Sequence, residues 1–177
     1  NYAQNLEFEK AARMRDRIQA LQRMNEKQRV ISSKVEHQDV IALALAPDAA
    51  CFEVFRFQDG RFYDREDFMV DPVEDEKAVR TEFISRYYAM RTDIPPQVTV
   101  NGEIDDYDLL SEWLTHQAGH KVRIHIPKKG EQLEIVKMCY DNAAERLAQR
   151  AEKQGRQLAV LDELALLLGL KTAPKYI

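Results

Sequence analysis

Apolar side chains recur at spacings of three and four through the first segment, as Ala11, Met14, Ile18 and Leu21, with charge on the other faces and no Gly or Pro. That is a narrow seam of the coiled-coil kind, predicted as a helix over 5–32 with Asn5 as its cap. Such a helix cannot bury itself alone. The pattern then changes period. VIALALA at 40–46 is continuously apolar, as in a strand covered on both faces. PDAA turns, CFEVFRF at 51–57 alternates, QDG at 58–60 turns again, and RFYDREDFMV at 61–70 reads as a third strand. These three form an antiparallel meander.

Helices and strands alternate afterwards. DPVEDEK opens a helix with Asp71 as cap and Pro72 at its first position, carrying Val79, Phe83, Ile84, Tyr87 and Tyr88. TDIPP ends it. QVTVNG at 97–102 is a short strand. DYDLLSEWLTHQ at 106–117 is a helix with Leu109, Leu110, Trp113 and Leu114 inward and Gly119 as its C-terminal cap. KVRIHIP at 121–127 is the fifth strand. A long helix follows over 131–154, and a separate final helix over 157–168 stops at Gly169. Three antiparallel strands followed by crossovers to two parallel ones is the order of the ribonuclease-H-like fold, so the fold class is α/β (α+β). Fold alone does not supply function.

Composition adds boundaries. With 177 residues, 45% hydrophobic and 32% charged, the chain supports one core with an appendage. No apolar run approaches the ~20 residues of a membrane span. Cys51 and Cys139 lie far apart, which indicates a reducing, cytoplasmic compartment rather than a disulfide framework. A net charge of −4 and the lack of a basic stripe with interleaved aromatics argue that DNA contact is weak or indirect.

A working ribonuclease-H-like nuclease needs acids converging on divalent metal, one inside the first strand and one at the end of the fourth. Here the first strand offers Ala42, Leu43 and Ala44, and the fourth ends in Asn101. Ala42, Ala44 and Asn101 are therefore degenerate active-site positions, and no catalytic residue, metal site or cofactor is expected. Asp39 falls before the strand and Asp48 in the turn after it. A divergent metal nuclease built on Asp48, Glu82 and Asp105 or Asp106 is the enzymatic alternative. His116 and His120 sit four apart, but Gly119 between them ends their helix, so they are read as surface. KKG at 128–130 reads as an ordinary loop, and Cys139 as buried filler.

LEFEKAARMRDRIQAL at 6–21 resembles the UVR motif found in UvrB and UvrC, subunits of the bacterial excision-repair nuclease, and in a few chaperone-associated proteins. Leu6, Phe8, Glu9, Ala11, Ala12, Arg15, Asp16, Ile18 and Leu21 fit its pattern. The motif is a helical hairpin, of which this chain carries the turn and second helix. FISRYYA, IPPQVTVNG, KVRIHIPKKGE, VKMCYDNA and LDELALLLGLKTAPKYI together look like the part of UvrC between its UVR motif and its C-terminal nuclease domain.

The resemblance implies a truncated UVR helix at 1–34 and a non-catalytic ribonuclease-H-like domain at 35–177. It implies docking to UvrB through the nine motif positions, with Phe8 as anchor, and a spacer role between two nuclease halves that this chain lacks. The isolated seam is also able to self-associate. An adaptor from a chaperone-linked UVR protein is the third reading.

Overall fold

A computed structural model describes residues 35–167. Five strands form one sheet: β1 (Gln38–Ala46), β2 (Ala49–Gln58), β3 (Arg61–Val70), β4 (Gln97–Val100) and β5 (Arg123–His125). Their spatial order is β3-β2-β1-β4-β5. β1 pairs antiparallel with β2, β2 antiparallel with β3, and β4 runs parallel to both β1 and β5. The helices are α1 (Glu76–Ala89), α2 (Tyr107–Ala118) and α3 (Glu131–Leu167). This is the ribonuclease-H-like order that the alternation of patterns predicts. The β2–β3 turn holds Asp59 at φ 52° and Gly60 at φ 70°, the left-handed pair a two-residue hairpin requires.

Two faces of the sheet carry two cores. Ile41, Leu43, Phe52, Val54 and Val98 pack against Ile84, Tyr88, Leu110 and Leu114 of α1 and α2. On the other face Val40, Ala42 and Phe55 meet Ile135, Val136 and Cys139 of α3, and Ala44 and Cys51 meet Ala143 and Leu147. Cys139 is filler as expected. Phe83 stacks on Phe52 at 3.9 Å and 5°.

Several elements depart from the pattern-based reading. β2 does not alternate: it is buried on both faces, because it lies between β1 and β3 with helices above and below. α1 starts four residues later than expected. Its cap is Asp75, whose carboxylate accepts from the backbone N–H of Lys77 (3.0 Å) and Ala78 (3.1 Å). Val73 packs on the core, so residues 71–74 must cross from the sheet edge before the helix can begin. Leu109 is 67% exposed rather than inward, since Leu110 and Leu114 set the buried face of α2. Gly119 caps that helix at φ 70°, as predicted. The two expected C-terminal helices are one continuous helix through Gly155. A lone helical glycine costs only about 1 kcal/mol relative to alanine, too little to end a helix without a proline or a competing contact. The stop at Gly169 lies outside the described residues.

Candidate functional site

The three positions expected to be degenerate are all close to the sheet backbone. Ala42 and Ala44 lie in the clusters beneath α3. Asn101, immediately after β4, is half-buried, and its side chain prolongs the sheet. Its Oδ1 accepts from the Leu43 N–H at 3.0 Å, and its Nδ2 donates to the Leu43 carbonyl at 2.9 Å. The amide thus acts as one more peptide unit paired to β1, and both of its polar ends are spent. A carboxylate there would set a charge against the Leu43 carbonyl oxygen.

The alternative acids do not converge. Asp48 is exposed in the β1–β2 turn, Glu82 is ion-paired with Arg86 at 2.7 Å on the outside of α1, and Asp106 is exposed at the start of α2. Asp105 is tied through its backbone to Thr81, its N–H donating to the hydroxyl at 2.9 Å and its carbonyl accepting at 3.0 Å. Among the described residues no group of three or more His, Cys, Asp and Glu side chains is placed to hold a metal ion. His116 and His120 are exposed.

What the structure does bring together lies at the carboxyl end of β4, beside β1. Strand order reverses direction between these two strands, and open sheets bind ligands at such points. A crevice there is lined by Asp75, Glu76, Lys77, Arg80, Asn101 and Gly102, with Glu74 and Glu103 at its edge. Among its lining residues is Arg80, only 7% exposed. One nitrogen donates to the Glu76 carboxylate at 2.6 Å, and another reaches the main-chain carbonyls of Glu76 at 3.3 Å and Glu103 at 3.4 Å. Nε is buried without a partner. Lys77 pairs with the Glu103 carboxylate at the rim. An arginine on a charged helix reads as solvated surface, so the sequence carries little warning of Arg80. The signal that was available is Gly102, a glycine directly after the polar strand end.

Two further buried acids were missed. Asp39 is inside β1, not before it, and is 2% exposed. The Tyr88 hydroxyl donates to it at 2.7 Å, and Arg56 lies 3.5 Å away. Burial pushes this carboxyl up to about 6, although Tyr88 and Arg56 both pull it down. Its spacing with Ile41 and Leu43 places it on the α1 face, which a count by twos from the apolar run would have found. It sits four residues before Leu43 along β1, about 13 Å away at the usual rise per residue. Arg56 also bonds Asp93 at 2.9 Å, so the group braces the loop after α1 to the sheet. Glu53 of β2 is 1% exposed with one carboxylate oxygen unpartnered, and burial pushes it up to about 7. Asp39 and Glu53 lie on different faces and form no dyad.

The nine UVR-like positions, Leu6 to Leu21, lie outside the described residues. Residues 1–23 match the model of the UvrB/uvrC motif, and residues 37–150 that of the UvrC Ribonuclease H-like domain. UvrABC system protein C of Acetivibrio thermocellus is 35% identical over 181 residues, covering 99% of this chain and 29% of that protein. The protein of the same name from Thermoanaerobacter sp. (strain X514) is 38% identical over 178 residues, covering 98% of this chain and 29% of that protein. A chain of the PCNA:RNase HII complex from Archaeoglobus fulgidus superposes with a TM-score of 0.40 at 15% identity, over 77% of this chain and 92% of that chain. A likeness that remote carries no functional argument.

Proposed function

The chain belongs to the UvrC family, and from that premise we propose that it is a docking and spacer segment of the excision-repair nuclease subunit. It spans 29% of the length of the curated relatives quoted above, so what it does is one part of a larger protein's work. Residues 1–34 form the UVR element that docks on UvrB. Residues 35–177 form a ribonuclease-H-like domain that holds the parts of the assembly in place and cuts nothing itself. The observation that carries docking is the match of residues 1–23 to the UvrB/uvrC motif. Phe8 is the anchor, a large ring off the main seam of the kind that dominates small interfaces. Ala11 and Ala12 allow close helix approach, and Arg15 and Asp16 set register through charge.

The non-catalytic reading is supported by donor chemistry. The Asn101 amide is committed at both ends to Leu43, and the first-strand alanines face α3. Asp48, Glu82, Asp105 and Asp106 are scattered, which disfavours the divergent nuclease. The match over 37–150 covers what a chaperone-linked adaptor leaves unexplained. Among the described residues no helix is long and apolar enough to cross a membrane. A cytoplasmic location is the setting this role requires.

Calorimetric titration of the chain into UvrB, alongside Phe8→Ala, tests docking. Binding by the parent chain and its loss in Phe8→Ala, with an unchanged circular dichroism spectrum, is the expected result. Equal affinity for both chains would remove Phe8 as anchor, and no binding by either would remove UvrB as the partner of this segment.

A further inference from the structure

The fold implies a divalent metal at the carboxyl end of β4, and the residues there do not fit one. We propose that Arg80 is the resident cation of that position: its guanidinium occupies the place of a metal ion and closes the crevice to one. This rests on the non-catalytic reading of the domain.

Four observations support it. The first is place. Gly102 lies two residues past the end of β4, so a guanidinium lying on it is at the end of the fourth strand, where the fold places one of its acids, while Ala42 and Ala44 lie on the other face beneath α3. The second is the ligand set. Arg80 is surrounded by oxygen, from the Glu76 carboxylate (2.6 Å) and the carbonyls of Glu76 (3.3 Å) and Glu103 (3.4 Å). Carboxylate and carbonyl oxygens are what a hard cation takes. A planar, permanently charged guanidinium satisfies the same atoms by donating hydrogen bonds.

The third is fit. A Cβ at position 102 would stand 2.6 Å from Arg80 Cζ and 2.8 and 2.9 Å from its two terminal nitrogens. Any residue but glycine would have to displace the guanidinium, so the space is filled. The fourth is cost. A charge this buried is expensive unless something specific holds it, and its main counter-ion, the Glu76 side chain, is itself 49% exposed. An arginine that served only to brace α1 would do so at less cost from the rim, as Lys77 does with Glu103.

The distinguishing consequence is chemical rescue. A brace, once cut, is not restored by a diffusible ion. A vacated cation site is. The experiment follows the thermal midpoint of the full chain, of Arg80→Ala and of Arg80→Lys. Each is measured with low-millimolar manganese chloride, guanidinium chloride, or tetramethylammonium chloride at matched ionic strength. The parent is expected to show no manganese-specific shift. Arg80→Ala is expected to melt several degrees lower and to recover at least half of that loss, saturably, with manganese or guanidinium and not with tetramethylammonium. Arg80→Lys retains a charge in the crevice and is expected to ignore manganese.

Saturable stabilisation of the parent by manganese would overturn the proposal, because the site would then be open. An Arg80→Ala chain that no cation restores, including one that never folds, would overturn it too, because Arg80 would then be a brace. Manganese-dependent cutting of DNA by the parent is scored separately. It would sink the non-catalytic reading itself, whereas failed rescue without cutting would sink only the assignment of Arg80.

Discussion

A single polar group on an otherwise apolar face has to be explained by its partners, and three residues show the range. Asn101 is fully used, Arg80 is used except at Nε, and Glu53 is hardly used. Glu53 therefore carries a pH signature. Its carboxyl is raised from 4.5 to about 7 by burial. Below the lower value both folded and unfolded chains hold the proton, and above the upper value neither does. Between them the folded chain holds more protons, so stability falls as pH rises through that window. Asp39, raised from 3.8 to about 6, contributes in the same direction over a lower range. Glu53→Gln, which copies the protonated shape, is expected to match the parent near pH 5 and to be more stable by about 2 kcal/mol near pH 8. Denaturant melts at the two pH values would check it, and an equal difference at both would refute it. Reading the sequence singled out Asn101 because strand ends are legible. It missed Glu53 and Asp39, since an acid in or beside an apolar run is read as surface until the second covering layer is known.

The elements themselves were largely legible, because strand period and turn chemistry are local. β3 runs over the residues its pattern indicates, and the Asp59–Gly60 turn does what that pair does in hairpins. The errors arose where a local signal was overridden by packing elsewhere in the fold. Asp71–Pro72 reads as a helix start, yet the helix begins at Asp75–Glu76, because Val73 packs on the core first. Gly155 reads as a break, yet α3 passes through it, and a Cβ built there meets nothing within 4 Å. Gly155→Ala should therefore raise stability by roughly 0.5–1 kcal/mol by removing freedom from the unfolded chain. A lower thermal midpoint for that variant would mean that the continuous helix is wrong at this point. Gly119, at φ 70°, is the contrasting case, where alanine would be strained.

For the molecule as a whole, charge is the property that composition reports most directly. A net −4 opposes a polyphosphate partner. Fluorescence anisotropy with a labelled DNA duplex should show only weak binding at physiological salt, with a shallow salt dependence. Low-micromolar affinity there would contradict an indirect role. Fold class and family were both legible, the first from the order of patterns and the second from LEFEKAARMRDRIQAL and the segments after it. What fills the switch-point crevice was not, because it depends on a helix, a strand end and a loop meeting in space. The long helix has a consequence of a different sort. α3 is held to the sheet by residues spaced four apart from Ile135 to Leu147, and then runs on for some twenty more, with 148–160 exposed. Those further turns amount to about 30 Å. A helix transmits angle as well as length, about 100° for every residue. Seven residues added to the bare stretch would lengthen it by about 10 Å and leave the far end facing nearly the same way, whereas two would swing that end through more than half a circle. The bare stretch therefore fixes the angle, as well as the distance, at which the far end of the helix stands from the sheet.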